Sequence, residues 1–334
     1  SMKCQSAAGC FPFTCWTLPL TSLCCGTIHE TRLVDRAGRR WRGELSTGET
    51  MRRNRDFLED VDFNTNEYGS IVQTDYPGAH DEDYRQRVDS LIEQSKRAWP
   101  NIPRYEYTEE EHENWRLVSE ILITLQDRYS STAYLEGREA LGLPLDRVPQ
   151  LDDVSKTMEE TTGFLLAPVG GLLDKSEFLP MLKNRVMRST PYIRHPSYPF
   201  FTPEPDILHE LRGHAPMFMH EPFCELSVGI GKAAEAAVNA GNEELLDLIG
   251  LFYWYTVEYG LILENGEIKI FGAGNNGGIQ DLLRSIDPTI EKQPFSIEAI
   301  RQLTIDYDAP QEVFFVAESF EQITELAHEL MEMA

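Results

Sequence analysis

A mainly α-helical fold with a few short strands at one edge is what this sequence predicts, and three features predict it. Two long stretches repeat apolar residues at helical spacing. A third, ending near residue 262, is apolar on almost every side, and one short segment alternates about an Asn-Gly pair in the manner of a hairpin. The 334 residues suffice for one large domain or two modest ones with a closed core. The formal net charge of −25 argues against nucleic acid or an anionic membrane as partner, because both repel an acidic surface.

Residues 1–65 read as an N-terminal extension, either unstructured or a targeting segment. Its stretch "CFPFTCWTLPLTSLCCGTI" is moderately apolar but broken by two prolines, too interrupted for a membrane span, and arginines follow it. A cytoplasmic location is the simplest expectation, or an organellar one if residues 1–55 are a transit segment. Cys4, Cys10, Cys15, Cys24 and Cys25 all lie there without metal-site spacing, and only Cys224 lies in the body, so disulfides do not hold the fold.

Ordered structure is expected from about "NTNEYGSIVQTDYPGAHDEDY" onward. Tyr84, Val88, Leu91, Ile92 and Trp99 share one helical face, and Trp115, Val118, Ile121, Leu122 and Leu125 share another. "LEGREALGLPLDRVPQLDDV" alternates short helices with Gly and Pro turns. "LAPVGGLLDKSEFLPML" is a loop feeding a helix capped by Asp174 or Ser176. Pro203 and Pro205 mark the start of the helix in "TPEPDILHEL". "NEELLDLIGLFYWYTVEYGL" is a buried helix, "ILENGEIKIFG" a two-residue hairpin, and Phe320, Ile323, Ala327 and Leu330 line a final helix.

Chemistry concentrates in "HELRGH", residues 209–214. A zinc-peptidase helix places two histidines four apart with a glutamate base between them; here they are five apart. In a regular α-helix such residues diverge by about 140°. His209 and His214 converge only if the helix widens into a π-type turn or ends between them, and Gly213 and Pro216 favour such a defect. Glu258 lies in "LFYWYTVEYGL", where a buried carboxylate needs a cation or strong donors. Two histidines and one carboxylate form the facial triad of non-haem iron oxygenases, which leaves several positions open for dioxygen and a reductant.

"YIRHPSYPFFTPEPDILHELRGHAPMF", "YWYTVEYGLILENGEIKIFGAG" and "FFVAESF", with "DYPGAHDEDYRQR", "IPRYEYTEEE", "VPQLDDVS" and "TTGFLLAPVGGLLDKSEFL" upstream, occur in one order over roughly residues 70–330. In this the chain resembles the pterin-dependent aromatic amino acid hydroxylases, phenylalanine hydroxylase above all. The resemblance implies that residues 66–334 form that family's catalytic domain, many helices around an iron cleft. It implies iron(II) held by His209, His214 and Glu258, with a tetrahydropterin (tetrahydrobiopterin or a reduced folate) and O₂ as co-substrates. Phe178 would stack on the pterin, Gly171, Leu172 and Leu173 would contact its edge through their backbone, and Glu210 and Tyr253 would line the same side. Arg194 would take the amino acid's carboxylate, beside Thr202 and Trp254. The implied reaction puts one atom of O₂ on the pterin and the other on the substrate ring, phenylalanine to tyrosine being favoured. Asp206, one turn before His209, is expected to orient that ring, whereas His195 is read as structural.

Departures from the family pattern carry expectations of their own. Gly277 and Gly278 stand where the family has a serine pair, which predicts weaker support for a ligand histidine and for substrate. Arg212 replaces an apolar residue and is expected to face solvent or a partner. Trp254 favours phenylalanine or tyrosine as substrate, and Tyr307 matches a position that separates the two. No counterpart of the family's regulatory domain or tetramerisation helix is seen, so a monomer or weak dimer is expected. The alternatives are tyrosine hydroxylation, a non-catalytic pterin- and iron-binding relative, or a zinc peptidase using Glu210 as base.

Overall fold

Helix caps written into the sequence set the first half of the fold. In the computed structural model, which describes residues 56–61, 63, 76–305 and 310–333, Asp81 accepts from the Tyr84 amide at the start of helix Glu82–Ala98. Thr108 and Glu111 close a reciprocal capping box on helix Glu109–Tyr129. Asp174, one of the two expected caps, accepts from Ser176 at helix Lys175–Met181. All the described residues belong to one compact unit. Of the expected N-terminal extension, residues 1–55, 62, 64 and 65 lie outside the described residues, as do residues 66–75 and Tyr307. Residues 56–59 are helical, and Leu58 is buried against Leu165, Ala167, Met181 and Val186. No helix among the described residues is long and apolar enough to cross a membrane.

The core follows the apolar faces read from sequence. Leu91, Trp115, Val118 and Leu122 are fully buried in one large cluster with the helices Glu221–Ala240, Glu243–Tyr253 and Phe320–Glu332. The final helix runs along Glu221–Ala240, where Gly229 brings its backbone close to Ala327. Strands stay short and peripheral. β1 (Leu165–Pro168) and β2 (Val186–Ser189) form a parallel pair. β3 (Leu261–Glu264) and β4 (Glu267–Ile270) are joined by Asn265 and Gly266, both at positive φ (53° and 82°), as the expected hairpin requires. β5 (Glu291–Pro294) and β6 (Val313–Ala317) extend that sheet in the order β4-β3-β6-β5.

Two expectations are corrected. The apolar stretch 242–261 is not one helix: its α-helical part ends at Tyr253, a π-turn runs from Trp254 to Glu258, and β3 follows. The Tyr259 amide bonds back five residues to the Trp254 carbonyl at 2.8 Å, a register that α-helical periodicity does not announce. Arg212 faces neither solvent nor a partner. Its guanidinium is buried over the Trp115 ring, 4.8 Å from the centroid, and bonds Ser119 Oγ (3.1 Å) and the Pro144 carbonyl (3.2 Å). Burial lowers its pKa to about 10, and the aromatic face offsets part of that desolvation. The residue pins the histidine motif to helix Glu109–Tyr129.

Candidate active site

Both segments that bear the expected ligands leave α-helical geometry at those residues. His209–His214 is a π-turn, closed by a bond from the Ala215 amide to the Glu210 carbonyl (3.0 Å). Such a turn carries residues five apart onto nearly the same face. His209 Nε2 and His214 Nε2 come within 3.1 Å, His214 Nε2 lies 3.1 Å from Glu258 Oε1, and His209 Nε2 lies 3.5 Å from Glu258 Oε2. A first-row metal ion with bonds of about 2.1 Å separates adjacent ligand atoms by roughly 3 Å, so the three side chains fit one ion. Glu210 is also close, its carboxylate lying with the two histidine rings inside a 4.8 Å span. Charge separates the two acids. Burial, with the charge of Glu258 added, pushes the Glu210 carboxyl well above the usual range, which favours its protonated form. Glu258, although burial opposes its ionisation, is held down to about 2 by the His214 and His209 rings and by bonds from His214 and Tyr253. The anionic Glu258 suits a cation; the neutral Glu210 suits a hydrogen-bond acceptor.

Burial also depresses His209, to about 4, against the pull of Glu258. Its ring is therefore neutral near pH 7, and its contact with Glu258 is not an ion pair. The linkage has a definite sign. The unfolded histidine takes a proton below about 6.5, whereas the folded one refuses it until about 4. We predict that the metal-free protein loses on the order of 2–3 kcal/mol as pH falls across that window, read as a falling urea midpoint. His209→Gln should flatten the decline, and a midpoint unchanged between pH 6.5 and 4 would refute the assignment.

A glycine-rich segment holds the two turns together. Helix Ala273–Gly277 packs on the histidine turn, and a Cβ on Gly277 would stand 2.9 Å from His209 Cα. At the other end, a Cβ on Gly272 would stand 2.4 Å from the Glu258 carbonyl oxygen. Gly277 thus gains a reason that sequence did not supply: its lack of a side chain lets the backbone lie directly on the first histidine. Gly277→Ser should overpack this contact at a cost of about 1–3 kcal/mol and displace His209. Melting temperature and iron affinity should fall together; a variant unchanged in both would show that the contact is slack.

The trio opens into a cleft of about 800 Å³. Every site residue expected from sequence lines it: Gly171, Leu172, Leu173, Phe178, Arg194, Thr202, His209, Glu210, His214, Tyr253, Trp254 and Glu258. On one wall the Tyr253 ring stands edge-on to Phe178, with centroids 5.3 Å apart at 86°, and its hydroxyl donates to Glu258 Oε1 at 2.9 Å. Gly171 holds φ at 157°, outside the ordinary range of side-chain-bearing residues. On the other wall Arg194 forms a buried, two-pronged ion pair with Asp206 (Nε–Oδ2 2.9 Å, Nη2–Oδ1 2.6 Å). Trp254 Nε1 donates to Gln311, and the Thr202 hydroxyl donates to the Glu204 carbonyl.

Asp206 is corrected in role. It reaches the His209 backbone amide (3.1 Å) and Arg194, so it sets the turn and the guanidinium, where orientation of the His209 ring was expected. His195 is structural as read, held by Asp81 and Ser197. Sequence reading missed three cleft residues. Arg188 is buried, with its pKa lowered to about 10 by desolvation. Glu204 is raised to about 7 by burial. Asp281 sits on helix Ile279–Ile286, whose amphipathic pattern marks it as an ordinary surface acid.

A mostly helical fold surrounds a cleft that joins two imidazoles, one carboxylate, an aromatic wall and a buried arginine, a donor set that suits a mononuclear metal site. The family described as biopterin-dependent aromatic amino acid hydroxylase matches residues 52–333, and the chain belongs to that family. Tyrosine 3-monooxygenase of Canis lupus familiaris is 40% identical over 256 residues, 75% of this chain and 51% of that protein. The chloroplastic phenylalanine 4-monooxygenase of Pinus taeda is 38% identical over 267 residues, 77% of this chain and 72% of that protein. Phenylalanine hydroxylase of Chromobacterium violaceum, solved with iron(III) and 7,8-dihydrobiopterin, superposes with a TM-score of 0.63 at 28% identity, covering 68% of this chain and 82% of that one. The chain spans about half the length of the first of these relatives.

Proposed function

We propose that the protein is an iron(II)- and tetrahydropterin-dependent monooxygenase that hydroxylates the ring of a free aromatic L-amino acid, with phenylalanine favoured. The observation that carries this reading is the convergence of His209, His214 and Glu258 within 3.5 Å inside a cleft that also holds Phe178 and Arg194. Iron(II) would sit on those three ligands. Bound there with a reduced pterin, it supplies the activation of O₂ that delivers one oxygen atom to the ring while the pterin provides two electrons.

The protein's own groups bind, orient and exclude water. Phe178 offers a flat face for the pterin ring, and Tyr253 braces that face while donating to Glu258. Glu210, whose carboxyl burial pushes well above its usual range, borders the pterin's polar edge, and its buried Oε2 has no partner among the described residues. The backbone of Gly171, Leu172 and Leu173 borders the same side. Arg194, pre-aligned by Asp206, meets the amino acid's carboxylate, and Trp254 and Thr202 flank the side chain.

A second substrate has specific support, because relatives at 40% identity are tyrosine 3-monooxygenases. The peptidase alternative needs an ionised Glu210 as base, and burial opposes that. The test is anaerobic loading with iron(II), then tetrahydropterin, O₂ and each aromatic amino acid, with product detected by mass. Hydroxylated phenylalanine or tyrosine is expected, and their relative yields assign the substrate. Pterin oxidation without any hydroxylated amino acid would overturn the reading.

A further inference from the structure

Asp281 is an acid facing the cleft, and among the described residues no lysine or arginine forms an ion pair with it. It is the third residue of helix Ile279–Ile286 and lines the cavity. Arg194 and Arg284 act on it only through space, and burial, the dominant effect, raises it to about 6. Arg284 instead gives its Nε to the Gln311 carbonyl. A first-turn acid usually faces water at a helix start; this one faces the cleft beside the arginine assigned to substrate.

The glycine pair links the two charges. The Gly277 carbonyl accepts from Arg194 Nη2 at 3.3 Å, and a Cβ on Gly278 would stand 2.6 Å from Asp281 Oδ2. Guanidinium and carboxylate thus adjoin neighbouring peptide units, with no side chain at 277 or 278 to fill the space between. Arg194 is already neutralised by Asp206. A ligand carboxylate on Arg194 alone would add negative charge to a cleft that holds Glu258 and Asp281, whereas a zwitterion adds none.

The geometry points to Asp281 as the acceptor of the substrate's α-ammonium, opposite Arg194 at its carboxylate, so that the cleft selects free α-amino acids over aromatic acids lacking the amine. This rests on the hydroxylase reading above and makes Asp281 a specificity residue, remote from the chemistry at the ring.

The test is calorimetric titration of the metal-loaded full chain, under nitrogen, with phenylalanine, tyrosine and their deamino analogues 3-phenylpropanoate and 3-(4-hydroxyphenyl)propanoate. The wild type should bind the amino acid at least about tenfold tighter than its analogue, as a hydrogen bond to a charged group implies. Asp281→Asn should close that gap by weakening the amino acid alone, and Asp281→Glu should keep part of it. A gap that survives in Asp281→Asn, or equal weakening of both ligands, overturns the assignment. Wild-type protein that binds neither class overturns the proposed function and the subsite with it.

Discussion

A His214→Ala protein is expected to bind ferrous iron more than about a hundredfold more weakly than the parent and to lose hydroxylation with it. Removing a residue that merely supports a ligand typically costs about 10–100-fold in metal affinity, and removing a ligand should exceed that. His214 suits the test because its ring is almost wholly buried, 3.1 Å from both His209 Nε2 and Glu258 Oε1. Among the described residues no other imidazole is at hand to replace it, the cluster of ligating groups there being His209, Glu210 and His214 beside Glu258. Tyr253→Phe provides the graded comparison. It removes only the 2.9 Å bond to Glu258 Oε1 and should fall within the smaller range. Iron content after dialysis against a weak chelator, together with thermal melting to establish folding, decides the matter. Retention of parental affinity by folded His214→Ala would remove this residue from the metal site.

The second large effect concerns the buried pair behind the substrate wall. Asp206→Asn leaves the Arg194 guanidinium, 2% exposed, without its counter-ion. Stranding one member of a buried pair costs about 3–5 kcal/mol, or a melting-point drop on the order of 10 °C for a domain of this size. Asp206 also accepts from the backbone amides of Arg194 and His209, so both the arginine and the histidine turn should loosen. A double variant, Arg194→Met with Asp206→Leu, separates stability from function. It should recover much of the stability, since apolar residues replace a buried ion pair at little cost, but it should not recover binding of the amino acid. If the double variant binds substrate like the parent, Arg194 has no role in recognition.

Much of the site was legible because its chemistry is carried by residue types at short spacing. The histidines five apart predicted an irregular helix, and the structure has a π-turn there. The glutamate among aromatics predicted a buried carboxylate in need of compensation, and Glu258 is held ionised beside two rings. What stayed hidden has no local signal. Arg212 stands out in the sequence only as a charge, yet its bonds reach Ser119 and Pro144, and Trp115 lies beneath it. Asp281 looks like any first-turn acid, and only the tertiary structure places it in the cleft, within electrostatic reach of Arg194. The role expected of Asp206 failed for a related reason: distance along a helix gives proximity but not which atom of the neighbour is met.

The amino-acid order alone settled the helical class, a helix cap at Asp174 or Ser176, the Asn-Gly hairpin and the kinds of side chain gathered for chemistry. Each of these depends on bonds or periodicities that span only a few residues. The tertiary structure decided which of those side chains meet within 3.5 Å, which way burial and charge move each acid, and why glycine stands at 277. Those outcomes follow from desolvation and close packing between segments remote in the chain, and neither leaves a periodic trace in the sequence.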